Sequence, residues 1–140
     1  MPDELSREEI DALLRRELVG RIGCHAGGAT YVVPVIYAYD GRGFVVASVE
    51  GRKLRMMRES RRVSFEVDRY ERETGSWESA IADGTFEELA GADAEAGLDL
   101  LAARFGRRRT GGESRHGDGA RAVVFRIRID GISGRAMRRG

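Results

Sequence analysis

The chain has 140 residues, of which 41% are hydrophobic and 34% are charged, and this length suits one domain built on a single core. Its 24 basic and 23 acidic residues leave a net charge of +1, so bulk charge favours neither nucleic acid nor a membrane surface as a partner. No apolar run is long enough to cross a bilayer, and the charged N-terminus does not resemble a signal peptide.

The first third of the chain predicts one helix followed by a three-stranded meander. Ser6 and Glu9 have the spacing of a capping box in front of an amphipathic helix. Asp40-Gly41 is a strong signal for a hairpin turn between two strands. We therefore predict strands at 18–25, 30–39 and 43–48.

The remainder predicts two more helices and three more strands, at 62–68, 77–89 and 121–130. One short helix follows the turn at 50–53. Asp93 caps the other helix, whose apolar stripe is either the set Ala96, Leu100 and Ala103 or the set Leu98, Leu101 and Phe105.

The segment 106–120 has no hydrophobic period and is rich in glycine and charge, so we predict a mobile loop there. Six strands at short spacing with three helices do not fit a βαβ series. They favour a mainly β fold, a six-stranded antiparallel barrel with short flanking helices. We expect one domain over 1–140, with its core at about 5–135.

Arg52 and Lys53 stand at the predicted start of a helix, where the helix dipole is already positive and cations are disfavoured. Free amide groups, a guanidinium and an ammonium together suit a phosphate. Ser48, at the end of the preceding strand, adds a hydroxyl. The alternative is a basic turn that is merely solvated.

Pro34 lies inside an otherwise regular strand, where it removes one ladder donor. Proline within a sheet is confined to edges, strand starts and bulges. The position therefore indicates either an ordinary edge strand or a split in the barrel where backbone groups are free to meet a ligand.

Side chains of the usual catalytic and metal-binding types form no recognisable set. Cys24, His25 and His116 lack the spacing of a zinc site, so we predict no metal. No nucleophile–base pattern stands out, so we assign no catalytic residue and expect a mononucleotide-like cofactor to carry any reaction. The lone cysteine is predicted to be buried. It excludes an internal disulfide and fits a cytoplasmic protein.

Four motifs occur in a recognisable order: VPV at 33–35, SxEGRK at 48–53, RVxFEVD at 62–68 and WxS at 77–79. Together they resemble the pyridoxamine 5′-phosphate oxidase-like split-barrel flavoproteins, and within them the nitroimidazole-resistance-type flavin-nucleotide-binding branch. The resemblance covers roughly residues 5–135. It implies a six-stranded split barrel that forms a homodimer with two FMN sites at the subunit interface.

The resemblance also implies which residues bind the flavin. The SxEGRK turn would hold the FMN phosphate, the backbone of the VPV strand would border the isoalloxazine ring, and the WxS motif would approach the flavin from the partner subunit. The residues implied in this way are Val33, Pro34, Val35, Ala47, Ser48, Arg52, Lys53, Trp77 and Ser79.

Three functions stay open at this point. The leading one is an FMN-dependent oxidoreductase that passes electrons from a reduced nicotinamide to a small acceptor. The second is a non-catalytic flavin-binding or storage protein, favoured because Ala47 stands where related sequences often have a histidine close to the flavin. The third is a split barrel holding another ligand, such as a deazaflavin or haem, for which His25 and His116 are the available histidines.

Overall fold

A computed structural model describes residues 1–106 and 122–139. Apart from Gly106, the predicted loop at 106–120 lies outside these ranges. No helix in the described ranges is long and apolar enough to span a membrane. The elements are, in chain order, β1 Asp3–Glu4, α1 Arg7–Arg16, β2 Val19–Ala26, β3 Ala29–Ile36, β4 Ala38–Tyr39, β5 Gly43–Ser48, α2 Arg52–Glu59, β6 Arg62–Tyr70, β7 Trp77–Glu88, α3 Gly91–Phe105 and β8 Val123–Met137.

All the described strands belong to one antiparallel sheet, with the order β3-β2-β6-β7-β8-β5-β4 and with β1 paired to β8. Its two outermost strands, β3 and β4, are consecutive pieces of chain joined by Tyr37, so the sheet must curl until its edges meet. The Tyr37 amide donates to the carbonyl oxygen of Leu18 at 3.2 Å, and its buried hydroxyl donates to that of Leu14 at 2.7 Å. The predicted mainly β split barrel is confirmed, with eight strands in the described residues where six were predicted.

Side chains from α1 and α2 pack into the barrel core. Phe44 and Phe65 stack at its centre with ring centroids 3.9 Å apart, and Tyr37 packs edge-on against both rings. The helical members of this core are Ile10, Leu13 and Leu14 from α1 and Leu54, Met56 and Met57 from α2.

A second, smaller core lies on the other face of β5, beneath α3. Leu101 packs there with Val45, Ala47 and Val124. Each of these four side chains is at most 9% exposed. The helix therefore shields one side of the barrel wall, from β4 across β5 to β8.

The predicted capping box and the predicted hairpin turn are both confirmed by their hydrogen bonds. The Ser6 amide donates to Glu9 Oε1 at 2.9 Å, and the Glu9 amide donates to Ser6 Oγ at 3.1 Å, which completes the capping box. In the hairpin, the Asp40 amide donates to the Gly43 carbonyl at 3.1 Å. Gly41 has φ of 89°, a conformation that favours glycine.

Several predicted boundaries were wrong. The single strand at 30–39 is two strands, because the chain leaves β2 and joins β5 at Tyr37. The residue that caps α3 is Ala90, with Asp93 inside its first turn. Neither predicted stripe is fully buried. In one, Ala96 and Ala103 are exposed; in the other, Leu101 is 1% exposed but Leu98 is 37% exposed. The last strand runs seven residues beyond 130, to Met137.

Candidate functional site

The barrel is split between β3 and the second half of β5. Within the described chain, β4 pairs with β5 only at Phe44 and Val45, and the segment 46–48 pairs with β8 alone. On the facing side, β3 pairs only with β2, where Pro34 lies opposite Arg21. Pro34 therefore occupies an edge strand, and the missing donor costs no ladder hydrogen bond.

Helix α2 begins beside this split. Gly51 is its N-cap and supplies no side-chain hydrogen bond to the first turn. The amide groups of that turn thus have no side-chain cap, and the dipole end is positive. Arg52 and Lys53 are the first two helical residues, and neither forms an ion pair within the described part of the chain. The predicted pair of cations therefore stands where an anion would be bound.

Arg52 is connected to β3 by an aromatic contact. Its guanidinium carbon lies 4.3 Å from the ring centroid of Tyr31, two residues before Val33. A guanidinium that stacks through its face keeps its N–H groups directed outward in its own plane. Tyr31 was missed by sequence reasoning, because nothing in the sequence shows that α2 folds back over β3.

Ser48 and Ala47 point to opposite faces of β5. Ser48 is the one buried polar residue of the described chain, 5% exposed, and its hydroxyl donates to the Val49 carbonyl at 3.2 Å. The Ala47 side chain lies in the small core beneath α3. Of the two predicted residues, Ser48 has the side chain that a ligand at the split would meet, whereas Ala47 offers its backbone.

Trp77 and Ser79 lie far from the cations within one chain. Trp77 pairs with Met137, whereas Ser48 pairs with Val123, so the two groups sit at opposite ends of the 15-residue strand β8. At roughly 3.3 Å per residue that strand separates them by up to about 45 Å. Within one copy, the WxS motif and the end of β5 that leads into α2 thus pair with opposite ends of β8.

Glu78, which lies between these two residues, is already paired. One carboxylate oxygen is 3.4 Å from Arg16 and the other is 3.7 Å from Arg69. Its charge is therefore balanced within its own chain and does not repel an anion bound near the WxS motif.

His25 is exposed, and its Nδ1 lies 3.0 Å from Thr30 Oγ1. It borders a cleft of about 370 Å³ whose lining includes the charged side chains of Arg62, Asp83 and Asp130. Such walls do not suit the apolar face of a porphyrin. Among the described residues, no cluster of histidine, cysteine and acidic side chains has the arrangement of a metal site.

Cys24 is free and buried, as predicted. Burial raises the pKa of its thiol, and the nearby charge of Arg52 opposes that rise. Its Sγ faces the Tyr31 carbonyl at 3.7 Å. The raised pKa favours the protonated thiol, which lies next to Tyr31.

A model of the pyridoxamine 5′-phosphate oxidase family matches residues 6–136 of the chain. Among solved structures, an FAD-binding protein from Mesorhizobium loti is 34% identical, with a TM-score of 0.73 and coverage of 97% of this chain and 96% of that one.

Two more distant structures share the fold. A candidate 5-nitroimidazole antibiotic resistance protein from Bacteroides thetaiotaomicron is 16% identical, with a TM-score of 0.77 over 97% of this chain and 87% of its own. The haem storage protein HutZ from Vibrio cholerae is 17% identical, with a TM-score of 0.73 over 90% and 92%.

An uncharacterised protein from Rhizobium meliloti (strain 1021) is 28% identical over 85 residues, which are 61% of this chain and 56% of the relative. The match thus spans little more than half of that relative. The family model, in contrast, covers nearly all of the present chain, and with it the SxEGRK turn, the split and the WxS motif. The chain belongs to the pyridoxamine 5′-phosphate oxidase family.

Proposed function

We propose that this protein binds a flavin nucleotide at the split of its barrel, with the phosphate at the start of α2. The observation that carries the proposal is the pair Arg52 and Lys53 on an uncapped helix start, without carboxylate partners in the described chain. Together these groups provide backbone donors, one bidentate cation and one point charge, which is the donor set that a phosphate requires.

The ring of the flavin would lie along the open edge of β3. The backbone of Val33, Pro34 and Val35 borders the split there, and the side chains of the two valines pack inward against the barrel core. A bound flavin would supply electron exchange between a reduced nicotinamide and a small acceptor, while the described residues hold and orient it. This is the oxidoreductase function that we favour.

FMN is the smallest flavin nucleotide that satisfies the two cations, and it is our first candidate. FAD is the second, favoured because the Mesorhizobium loti relative, 34% identical over nearly its whole length, is an FAD-binding protein. The α2 start presents the same donors to a terminal phosphate and to a pyrophosphate, so the nucleotide released from the purified protein distinguishes the two.

A homodimer would complete the site. Trp77 and Ser79 sit at the far end of β8 from Ser48, so a second copy is needed to bring them to a flavin held by Arg52. The outer sheet face also carries exposed apolar side chains, including Val32 at 64% and Ile81 at 53%. Such side chains suit a protein–protein interface.

The first experiment is the visible absorption spectrum of the purified protein, followed by titration of the colourless fraction with FMN and with FAD. Flavin bands or saturable quenching are expected. Turnover of a reduced nicotinamide with an added acceptor then separates an oxidoreductase from a storage protein. A protein that binds neither flavin, at any concentration that leaves it folded, would refute the proposal.

A further inference from the structure

Arg58, the next-to-last residue of α2, holds two glutamates at once. Its Nη1 and Nη2 donate to the two carboxylate oxygens of Glu50, each at 2.9 Å. Its Nε and Nη2 donate to the carboxylate of Glu88 at 2.9 and 3.1 Å. Bidentate contacts between a guanidinium and a carboxylate are strong and directional. One side chain therefore ties the turn before α2 to the end of β7.

This arrangement follows from the direction of side chains on a helix. Cα–Cβ bonds tilt toward the helix N-terminus, so Arg58 reaches back along α2 to a residue eight positions earlier. Glu50 immediately precedes Gly51, the N-cap of the same helix. Glu50 is therefore two residues before Arg52, the first residue of α2.

A free carboxylate at this point would oppose an anion. Like charges repel each other near a protein surface, and the repulsion grows as their separation shrinks. Glu50 cannot remove its charge by taking up a proton, because the hydrogen bonds from Arg58 hold its pKa below the ordinary value. Only a neighbouring cation can mask it, and Arg58 is the residue that contacts both of its oxygens.

We propose that Arg58 is a positioning residue of the phosphate site, and that it holds the Glu50 carboxylate away from the bound phosphate. This inference rests on the proposed flavin binding. The basic residues of α2 then have separate tasks: Arg52 and Lys53 contact the phosphate, while Arg58 masks the one acidic residue of the turn.

The test compares FMN affinity in the full-length wild type and in four variants, measured by quenching of flavin fluorescence. Arg58→Gln is expected to weaken FMN binding about tenfold, because it releases a negative charge beside the phosphate. Glu50→Gln is expected to bind FMN at least as tightly as the wild type. In the double variant the loss should shrink to about twofold, since residue 50 then carries no charge, and only Glu88 has lost its partner.

Glu88→Gln is the matched control, because it removes the other carboxylate and leaves the Arg58–Glu50 pair. It should bind FMN like the wild type. Riboflavin lacks the phosphate, so the affinity of the protein for riboflavin should not fall tenfold in the Arg58→Gln variant. Thermal melting of each flavin-free variant identifies any that fails to fold, and Arg58→Met, which also removes the positive charge, then replaces Arg58→Gln.

Two outcomes would overturn the role of Arg58. One is a double variant that binds FMN as weakly as Arg58→Gln. The other is an equal loss of affinity for riboflavin and FMN, which would make Arg58 a purely structural residue. A wild type that binds neither FMN nor FAD is a different result, because it refutes the proposed function itself, and this inference with it.

Discussion

At the scale of single residues, the cations that open α2 should dominate phosphate binding. Replacing Arg52 and Lys53 together by alanine is expected to weaken FMN binding by about 2–4 kcal/mol, since charge-assisted hydrogen bonds contribute roughly 1.5–3 kcal/mol each and do not add fully. Titration with FMN measures the change. Arg42→Ala, which removes an exposed cation from the turn before β5, is the control and should change affinity little. Comparable losses in both proteins would contradict the assignment.

We expect the ring of Tyr31, and not its hydroxyl, to contribute to FMN binding. Tyr31→Leu removes the surface on which Arg52 rests at 4.3 Å. It is expected to weaken FMN binding by about 0.5–1 kcal/mol, the usual contribution of an exposed cation–π contact. Tyr31→Phe keeps the ring and should bind FMN like the wild type. If Tyr31→Phe weakens binding as much as Tyr31→Leu, the stacking contact is not what positions Arg52.

Some residues of the candidate site could be predicted from the sequence, and others could not. Arg52 and Lys53 were predicted because two cations at a helix start oppose the helix dipole, which is a local property of the sequence. Tyr31 lies 21 positions earlier, and its contact depends on how α2 packs against the sheet. Arg58 likewise reads as an ordinary helical cation until the helix shows which carboxylates lie within its reach. Packing between distant segments could not be predicted from one sequence.

At the scale of elements, α3 is held to the barrel mainly by the small core beneath it. Leu101→Ala is expected to lower the free energy of unfolding by about 2–4 kcal/mol, because Leu101 is 1% exposed and its removal leaves a cavity. Leu98→Ala, on the exposed side of the same helix, should cost about 0.5 kcal/mol or less. Urea denaturation of the two variants provides the comparison. Equal costs would mean that α3 is not anchored through Leu101.

The outer face of β6 carries a group that titrates near neutrality. Burial, with the neighbouring Asp68, raises the pKa of Glu66 to about 7 from its ordinary 4.5, although Arg21 lies 3.3 Å from both carboxylates. The folded state binds this proton more tightly than the unfolded state. Its contribution to stability is therefore present below about pH 4.5 and is lost as the pH rises through about 7.

Glu66→Gln removes that titration. The free energy of unfolding of the variant, relative to the wild type, should therefore increase from pH 4.5 to pH 7.5. Urea denaturation at several pH values measures it. Asp68→Asn is the companion variant, and it should move the transition of the wild type toward lower pH. A difference between Glu66→Gln and the wild type that is constant over this range would contradict the raised pKa.

The order of the elements could be read from hydrophobic periodicity and turn residues, but two strand boundaries could not. After Pro34 the chain pairs with β2 up to Ile36 and with β5 from Ala38. Which strand it pairs with depends on how the whole barrel closes. The end of β8 looked like a tail because it contains Gly131 and Gly134. Glycine fits the close packing at position 134, since a Cβ there would lie 2.9 Å from Leu5 Cδ1 and 3.1 Å from the Ser79 carbonyl oxygen.

At the scale of the whole molecule, the proposed dimer can be tested by complementation. A variant with Arg52→Ala and Lys53→Ala lacks the phosphate contacts, and a Trp77→Ala variant lacks the contact expected from the partner. Each alone should bind FMN poorly. Mixed and re-associated in equal amounts, they should regain about a quarter of the wild-type sites, since half of the dimers are mixed and each has one intact site. If the mixture does not recover FMN binding, the proposed arrangement is wrong. Either both groups serve the site of the same subunit, or one of them does not contact FMN.

Strand β8 has a consequence for such a dimer. Val123, at one end, pairs with Ser48, and Met137, at the other, pairs with Trp77. In a two-fold dimer with flavin held between the subunits, each β8 would reach into both binding sites. If flavin bound at one site shifts this strand, the affinity of the second site changes with it. Flavin loading of two identical subunits would then be cooperative.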